Sequence, residues 1–311
     1  MKRGMWIAAV WVAGMMMSAC SRAPATPGDK LRVVATTTIV GDVVRQVGGD
    51  AIALTVLLPV GADPHAFDPS PQDMAQVTDA DVILANGAGL EAFLERLLEN
   101  AGGDADVVYV SEGVTFIEVE HHAEDAPADE DGHHHEGIDP HTWTDPNNVL
   151  CWVDNIEAAL VRHDPAHADT YQANAETYRA RLRELDAWVR EQVEQIPAEN
   201  RQLVTDHTAF AYFAQRYGFE QVGAIVPGYS TAAQPSAQDL AALEDRITTY
   251  GVKAIFVGKT VNPALAQRVA DDTGVKLVFL YTGSLTAPGG EADSYLSYVK
   301  YNVGAIVEGL R

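Results

Sequence analysis

The amino-acid sequence predicts an α/β fold of two lobes, each a parallel sheet covered by helices, joined by one long helix. Eight short apolar, β-branched runs alternate with helical or turn-like sequence, and they fall into two groups of four. The longest helical pattern of the chain lies between the groups. Because strands that alternate with helices form parallel sheets, each group predicts one sheet. A chain of 311 residues is also long enough for two domains.

The predicted strands fix the extent of each lobe. The strands of the N-terminal lobe are residues 31–35, 52–58, 81–85 and 107–110. Those of the C-terminal lobe are residues 202–205, 221–226, 253–257 and 276–281. We expect the N-terminal lobe to cover residues 31–164 and the C-terminal lobe residues 198–311, with residues 165–197 between them.

The segment between the lobes has the spacing of one amphipathic helix. Asp164 is a candidate cap, Pro165 suits the first turn, and Pro197 ends the pattern. Apolar residues follow at intervals of three and four: Tyr171, Ala175, Tyr178, Leu182, Leu185, Val189, Val193 and Ile196. A continuous helix over residues 165–196 would be roughly 48 Å long, enough to run along both lobes.

The N-terminus predicts export. Lys2 and Arg3 precede an apolar run that ends in the tetrapeptide MSAC at Cys20, and a run of about thirteen residues is too short to span a bilayer. Residues 1–19 are therefore predicted to be a signal peptide. The tetrapeptide resembles a bacterial lipobox, which predicts a lipid on Cys20, a tether over residues 20–30, and a membrane-anchored protein facing the periplasm or the cell exterior. The alternative is an ordinary signal peptide in which Cys20 is incidental.

The charge of the chain excludes one class of partner. Asp and Glu number 44 against 21 Lys and Arg, which gives a formal charge of −23. This charge would repel a phosphate backbone, so we expect no nucleic-acid partner. It would also raise the local concentration of cations.

One acidic segment concentrates the histidines. Residues 118–136 contain eight acidic residues, no Lys or Arg, and five of the ten histidines: His121, His122, His133, His134 and His135. Such a stretch has little to bury, and clustered imidazoles bind soft or borderline divalent cations. We predict an auxiliary metal-binding loop, the alternative being a solvated charge run.

Three further histidines lie near predicted strand and helix ends. His65 follows the second strand in the sequence DPHAFDPSP, His141 precedes a helix in DPHTWTDPNN, and His207 directly follows a strand in TDHTAF. Ligands of open α/β sheets bind beyond the carboxyl ends of the strands, where these side chains would project. Three neutral imidazoles suit Zn²⁺, so a metal site between the lobes is predicted.

At these residues the sequence resembles the metal-binding lipoproteins that serve as solute-binding components of bacterial zinc and manganese ABC importers. The resemblance runs from about residue 31 to the C-terminus, and its most specific parts are residues 63–91, 139–149, 206–218 and 273–285. It implies His65, His141 and His207 as metal ligands and an ABC permease as partner. The acidic, histidine-rich insertion found in zinc-handling members falls on residues 118–136.

Two positions depart from the family pattern. Gly283 stands where the family has an Asp that often supplies a fourth, carboxylate ligand, and Gly258 stands where Glu is common. A shell of three imidazoles and one water should favour Zn²⁺, because Mn²⁺ prefers carboxylate oxygens. On this reasoning we expect Gly283→Asp to tighten Zn²⁺ binding and to improve Mn²⁺ binding more.

The predicted function is capture of Zn²⁺ outside the cytoplasmic membrane by a monomeric protein that delivers it to the permease, with Mn²⁺ as the alternative cargo. A zinc-dependent hydrolase is the rival from another class, because three histidines and a water also form a catalytic zinc shell. Asp63, Asp139 or Asp206 would then be its general base. The export signal, the histidine-rich segment and the family resemblance favour binding over catalysis.

Overall fold

A computed structural model of the chain describes residues 30–118 and 137–311 and has the two-lobed α/β fold that the sequence predicts. The N-terminal lobe consists of β1 (Leu31–Ala35), α1 (Thr38–Gly48), β2 (Ile52–Val56), α2 (Pro71–Asp79), β3 (Val82–Ala85), α3 (Leu94–Ala101), β4 (Asp106–Tyr109) and α4 (Pro146–His163). The long helix α5 (Ala168–Val193) follows. The C-terminal lobe consists of β5 (Gln202–Thr205), α6 (Ala211–Tyr217), β6 (Glu220–Ala224), α7 (Ala237–Tyr250), β7 (Ala254–Gly258), α8 (Ala264–Thr273), β8 (Lys276–Leu280) and α9 (Tyr295–Leu310).

Each lobe has a four-stranded sheet in which all paired strands are parallel. The strand order is β2-β1-β3-β4 in the first sheet and β6-β5-β7-β8 in the second. In both sheets the chain first adds a strand on one side and then crosses to the other, so a crevice forms beyond the carboxyl ends of the central strands. Of the predicted metal ligands, His65 follows β2 of the first sheet and His207 follows β5 of the second, so both lie beyond the carboxyl ends of strands.

The observed strands lie within two residues of their predicted bounds. The largest differences are at the ends of β2 and β6, which end at Val56 rather than at residue 58 and at Ala224 rather than at residue 226. The backbone N–H groups of Leu57 and Leu58 still donate to the carbonyls of Ala35 and Thr36, so pairing continues past the end of the regular strand.

The long helix is shorter than predicted at both ends. Residues Pro165–His167 form a separate 3₁₀ turn, and α5 covers 26 residues, or about 39 Å. Asp164 does not cap a helix through its side chain; its carboxylate instead accepts hydrogen bonds from Tyr171 and His167. The apolar stripe is as predicted, and every one of its eight members is buried.

One apolar core runs through both lobes. Its buried residues include Val33 of β1, Tyr178 of α5, Phe256 of β7 and Leu310 of α9. Asp42 of α1 reinforces this connection, because its buried carboxylate accepts the backbone N–H of Tyr295 at the start of α9, at 2.9 Å. Within the described part of the chain, no helix combines the length and the hydropathy needed to cross a bilayer.

Candidate metal site between the lobes

The structure brings together the three histidines that the sequence predicts as metal ligands. His65 lies in the loop between β2 and α2, His141 precedes a 3₁₀ turn (Thr142–Thr144) that leads into α4, and His207 follows β5. The Nε2 atom of His141 lies 3.1 Å from that of His65 and 3.1 Å from that of His207. One ligand nitrogen from each ring falls within 4.8 Å of the other two. Two of these rings come from the N-terminal lobe and one from the C-terminal lobe.

These separations suit a tetrahedral ion. With Zn–N bonds of about 2.0–2.1 Å and tetrahedral angles, two ligand nitrogens lie ~3.3–3.4 Å apart. The observed distances of 3.1 Å are slightly shorter. Among the described residues, His65, His141 and His207 form the group of at least three metal-ligating side chains that could hold an ion. This group contains no carboxylate.

Each ligand histidine follows an aspartate that lies one or two residues earlier in the chain. In all three, the Oδ1 atom of an aspartate accepts the backbone N–H of the histidine one or two residues later, at 2.7–3.0 Å. In two of them the same oxygen also contacts the imidazole: Asp139 lies 2.8 Å from Nδ1 of His141, and Asp206 lies 2.7 Å from Nδ1 of His207. An Nδ1–H that donates to a carboxylate leaves Nε2 as an acceptor, which is the form that binds metal.

The two ring-orienting aspartates differ at their second oxygen. Oδ2 of Asp206 accepts the backbone N–H of Gly258 at 2.6 Å. Oδ2 of Asp139 is buried and has no hydrogen-bond partner among the described residues. Both aspartates were candidate general bases in the hydrolase interpretation, yet in the structure each holds a histidine in place.

Burial favours the neutral form of two of the imidazoles, His65 and His141. Burial and the neighbouring His141 and His207 rings lower the pKa of His65 to about 3. Burial and, to a smaller extent, the neighbouring His207 lower the pKa of His141 well below its usual value. Burial raises the pKa of Asp139 to about 7. Burial alone would raise the pKa of Asp206, but hydrogen bonds from His207 and Gly258 hold it below its usual value. Neutral imidazoles can bind a cation without first losing a proton.

The two glycines that depart from the family pattern face crowded surroundings. A Cβ atom on Gly258 would lie 2.3 Å from Oγ1 of Thr282 and 2.9 Å from Oδ2 of Asp206. A Cβ atom on Gly283 would lie 2.6 Å from Cδ of Pro64, the residue before His65. The absence of a side chain at Gly258 therefore leaves room for Thr282 and Asp206 within the C-terminal lobe, and its absence at Gly283 lets that lobe approach the loop that carries His65.

A buried framework that the sequence did not reveal supports His141. The carboxylate of Glu91, a residue that is 8% exposed, accepts hydrogen bonds from the Thr36 hydroxyl and from the backbone N–H groups of Asn86 and Gly87. The Asn86 side chain then donates to the carbonyl of Pro140, beside His141, at 3.0 Å. The aspartates of the site had a visible signal, the repeated DPH, DPH and DH sequences, whereas this framework had none.

The predicted auxiliary histidines, His121, His122, His133, His134 and His135, lie outside the described residues, as does Cys20. The two ends of their segment are adjacent, because Glu118 and Ile138 form an antiparallel bridge. The hydroxyl of Tyr212 donates to the carbonyl of Asp139 and accepts the N–H of Ile117. The segment thus begins and ends next to the candidate site.

Comparison with known proteins gives the family. Residues 33–309 match the sequence profile of the zinc-uptake complex component A, periplasmic. The chain belongs to this family. It is accordingly the extracytoplasmic, metal-binding component of an ABC importer, a solute-binding protein and not an enzyme.

The individual relatives are named for different metals. The chain is 35% identical to the manganese-binding lipoprotein MntA of Halalkalibacterium halodurans over 91% of this chain and 89% of that protein. It is 33% identical to the iron-binding protein YfeA of Yersinia pestis over 92% of this chain and 88% of that one. The structure resembles the periplasmic zinc-binding protein TroA of Treponema pallidum, with a TM-score of 0.81, 28% identity, and coverage of 91% and 99% of the two chains.

Proposed function

We propose that the protein captures Zn²⁺ through His65, His141 and His207 and delivers it to an ABC permease. The observation that carries this proposal is the composition of the site, which has three imidazole nitrogens and no carboxylate among the described residues. Imidazole ligands suit Zn²⁺, whereas Mn²⁺ prefers hard oxygen ligands. The simplest fourth ligand is a water molecule, which a site that must release its metal can accommodate.

Mn²⁺ is the second candidate cargo, and the names of the relatives favour it. The 35%-identical protein of Halalkalibacterium halodurans is called manganese-binding, and other matched lipoproteins are named for manganese ABC transporters. The identity of the ligands supports Zn²⁺, while the names of these relatives support Mn²⁺. A direct comparison of the two ions in one preparation decides between them.

We expect the metal-free protein to bind one Zn²⁺ ion at least ~100-fold more tightly than Mn²⁺, following the usual order of affinity at nitrogen sites. Competition calorimetry with both ions in chelator-buffered solutions measures the ratio. Equal affinity, or tighter binding of Mn²⁺, would contradict the assignment of Zn²⁺ and leave manganese import as the function.

We also propose that residues 118–136 collect metal without forming part of the main site. Replacement of residues 119–136 by Gly-Gly leaves both residues of the Glu118–Ile138 bridge in the chain. We expect this variant to keep one tight Zn²⁺ site and to lose weaker ones, which calorimetric stoichiometry would measure. Loss of the tight site would instead identify a histidine of the segment as the fourth ligand.

We also propose that the protein is exported and anchored to a membrane. The N-terminal sequence supports cleavage of residues 1–19, a lipid on Cys20 and anchoring to the membrane, and we propose that the anchored protein is a monomer. Partition of the expressed full chain between membrane and soluble fractions, compared with Cys20→Ala, tests the anchor. Release of the wild-type protein into the soluble fraction would contradict it.

A further inference from the structure

The three ligand histidines are not held equally. His141 and His207 are 1% and 2% exposed, and an aspartate oxygen fixes each ring at Nδ1. His65 is half-buried, and within residues 30–118 and 137–311 its Nδ1 atom makes no hydrogen bond to a carboxylate. Its aspartate, Asp63, holds only the backbone N–H, at 3.0 Å. His65 is therefore the ligand whose displacement breaks the fewest interactions.

The second oxygen of Asp63 connects the His65 loop to the other lobe. Oδ2 of Asp63 accepts a hydrogen bond from the Thr231 hydroxyl at 2.6 Å. Thr231 lies in the β6–α7 segment, which we define as residues 225–236, and several of its neighbours are exposed. Such a short bond to a carboxylate is charge-assisted and stronger than a bond between neutral groups.

Among the described residues, this bond joins a side chain of the β6–α7 segment to the N-terminal lobe. The backbone of the segment is tied to its own lobe instead: Val226 donates to the carbonyl of Asp206, and Thr208 donates to that of Gly228. The base of the segment is thus fixed beside His207, while Thr231 reaches across to Asp63. The same segment therefore contacts the elements that carry two of the three ligands.

We propose that Thr231 is a positioning residue that holds Asp63, and through it His65, in the metal-binding position, so that breaking the Thr231–Asp63 hydrogen bond is the step that frees the metal. This inference rests on the proposed metal-binding function of the three histidines. Loss of the bond frees Asp63 and the neighbouring His65 from the β6–α7 segment, while Gly61, earlier in the same loop, still donates its backbone N–H to Oγ of Ser284 at 2.8 Å and the buried His141 and His207 stay in place. The hydroxyl therefore controls the rate of release more than the rate of capture.

The test measures metal release from wild-type protein and from Thr231→Val, which removes the hydroxyl but keeps the branched shape. Stopped-flow mixing of the Zn²⁺-loaded protein with excess chelator gives koff. We expect an increase in koff of about tenfold for Thr231→Val, as expected when a hydrogen bond to a charged group is lost, and a change of less than about twofold in the association rate. Thr231→Ser, which keeps the hydroxyl, should restore a koff close to that of the wild type.

Thr248→Val is the matched control. The Thr248 hydroxyl donates to the carbonyl of Glu244 within α7 of the same lobe, so its removal should leave koff unchanged. A wild-type koff for Thr231→Val would overturn the proposal. An equal increase in Thr231→Ser would also overturn it, because packing rather than the hydroxyl would then be responsible. If the wild type binds Mn²⁺ instead of Zn²⁺, the assignment of the cargo fails, but the same ratio of koff values measured with Mn²⁺ still tests Thr231.

Discussion

Replacing His141 by alanine is expected to lower the affinity for Zn²⁺ by about 10²–10³-fold. A four-ligand zinc site provides about 10–16 kcal/mol of binding free energy, so each ligand contributes ~2.5–4 kcal/mol. His141 is the central ring of the cluster, since its Nε2 atom lies 3.1 Å from both of the others. Without it, His65 and His207 retain only two nitrogens for the ion. Calorimetric titration of the metal-free variant with Zn²⁺ measures the loss.

His163→Ala is the matched control for this change. His163 lies at the end of α4, where its ring contacts Asp106 at 2.9 Å, and it takes no part in the cluster. Its variant should bind Zn²⁺ as the wild type does. Thermal melting of both metal-free variants shows whether each is folded. Wild-type Zn²⁺ affinity in a folded His141→Ala variant would refute the three-histidine site.

Replacing Gly283 by alanine is expected to weaken Zn²⁺ binding by roughly 5- to 150-fold, since overpacking costs ~1–3 kcal/mol. The added Cβ atom would lie 2.6 Å from Cδ of Pro64, a rigid ring atom, so the Pro64–His65 segment has to move. The expectation that Gly283→Asp simply strengthens binding is revised for the same reason. The Asp variant carries this steric cost together with any gain from its carboxylate.

Comparison of Gly283→Asp with Gly283→Ala separates the two effects. We expect both variants to bind Zn²⁺ more weakly than the wild type, and the ratio of Mn²⁺ to Zn²⁺ affinity to be higher in the Asp variant, because the added oxygen suits the harder ion. Gly304→Ala in α9 is the control: its Cβ would meet no atom within 4 Å, so metal affinity should not change. Wild-type Zn²⁺ affinity in Gly283→Ala would show that the Pro64 contact does not determine the position of His65.

The sequence predicted the elements of the fold more accurately than their connections. Short β-branched runs define strands locally, so β5 (Gln202–Thr205) was predicted at its observed bounds. The start of α5 was predicted wrongly, because Asp164 also bonds Tyr171, and residues 165–167 form a separate turn. The apolar core common to both lobes could not be predicted, because it depends on contacts between residues far apart in the chain.

The same division holds for the candidate site. His65, His141 and His207 could be proposed from their positions near strand and helix ends, and the structure brings their nitrogens together. Their supporting contacts could not be proposed. The Thr231–Asp63 bond spans 168 residues of sequence, and the Asn86–Pro140 bond spans 54. The first pair joins loops of the two lobes and the second joins two loops of the N-terminal lobe, and no local sequence pattern indicates either contact.

The apolar core that continues through α5 limits how this protein can hand over its cargo. Val33 of the first sheet and Phe256 of the second belong to the same buried cluster, with Tyr178 of α5. Pulling the lobes apart as rigid bodies would expose this cluster to water, at about 25 cal/mol for each Å² of apolar surface. A movement of the β6–α7 segment, or of the His65 loop short of the contact between Phe67 and Phe93, leaves this cluster buried. We therefore expect a permease that receives the ion to act on loops at the mouth of the cleft rather than to separate the lobes.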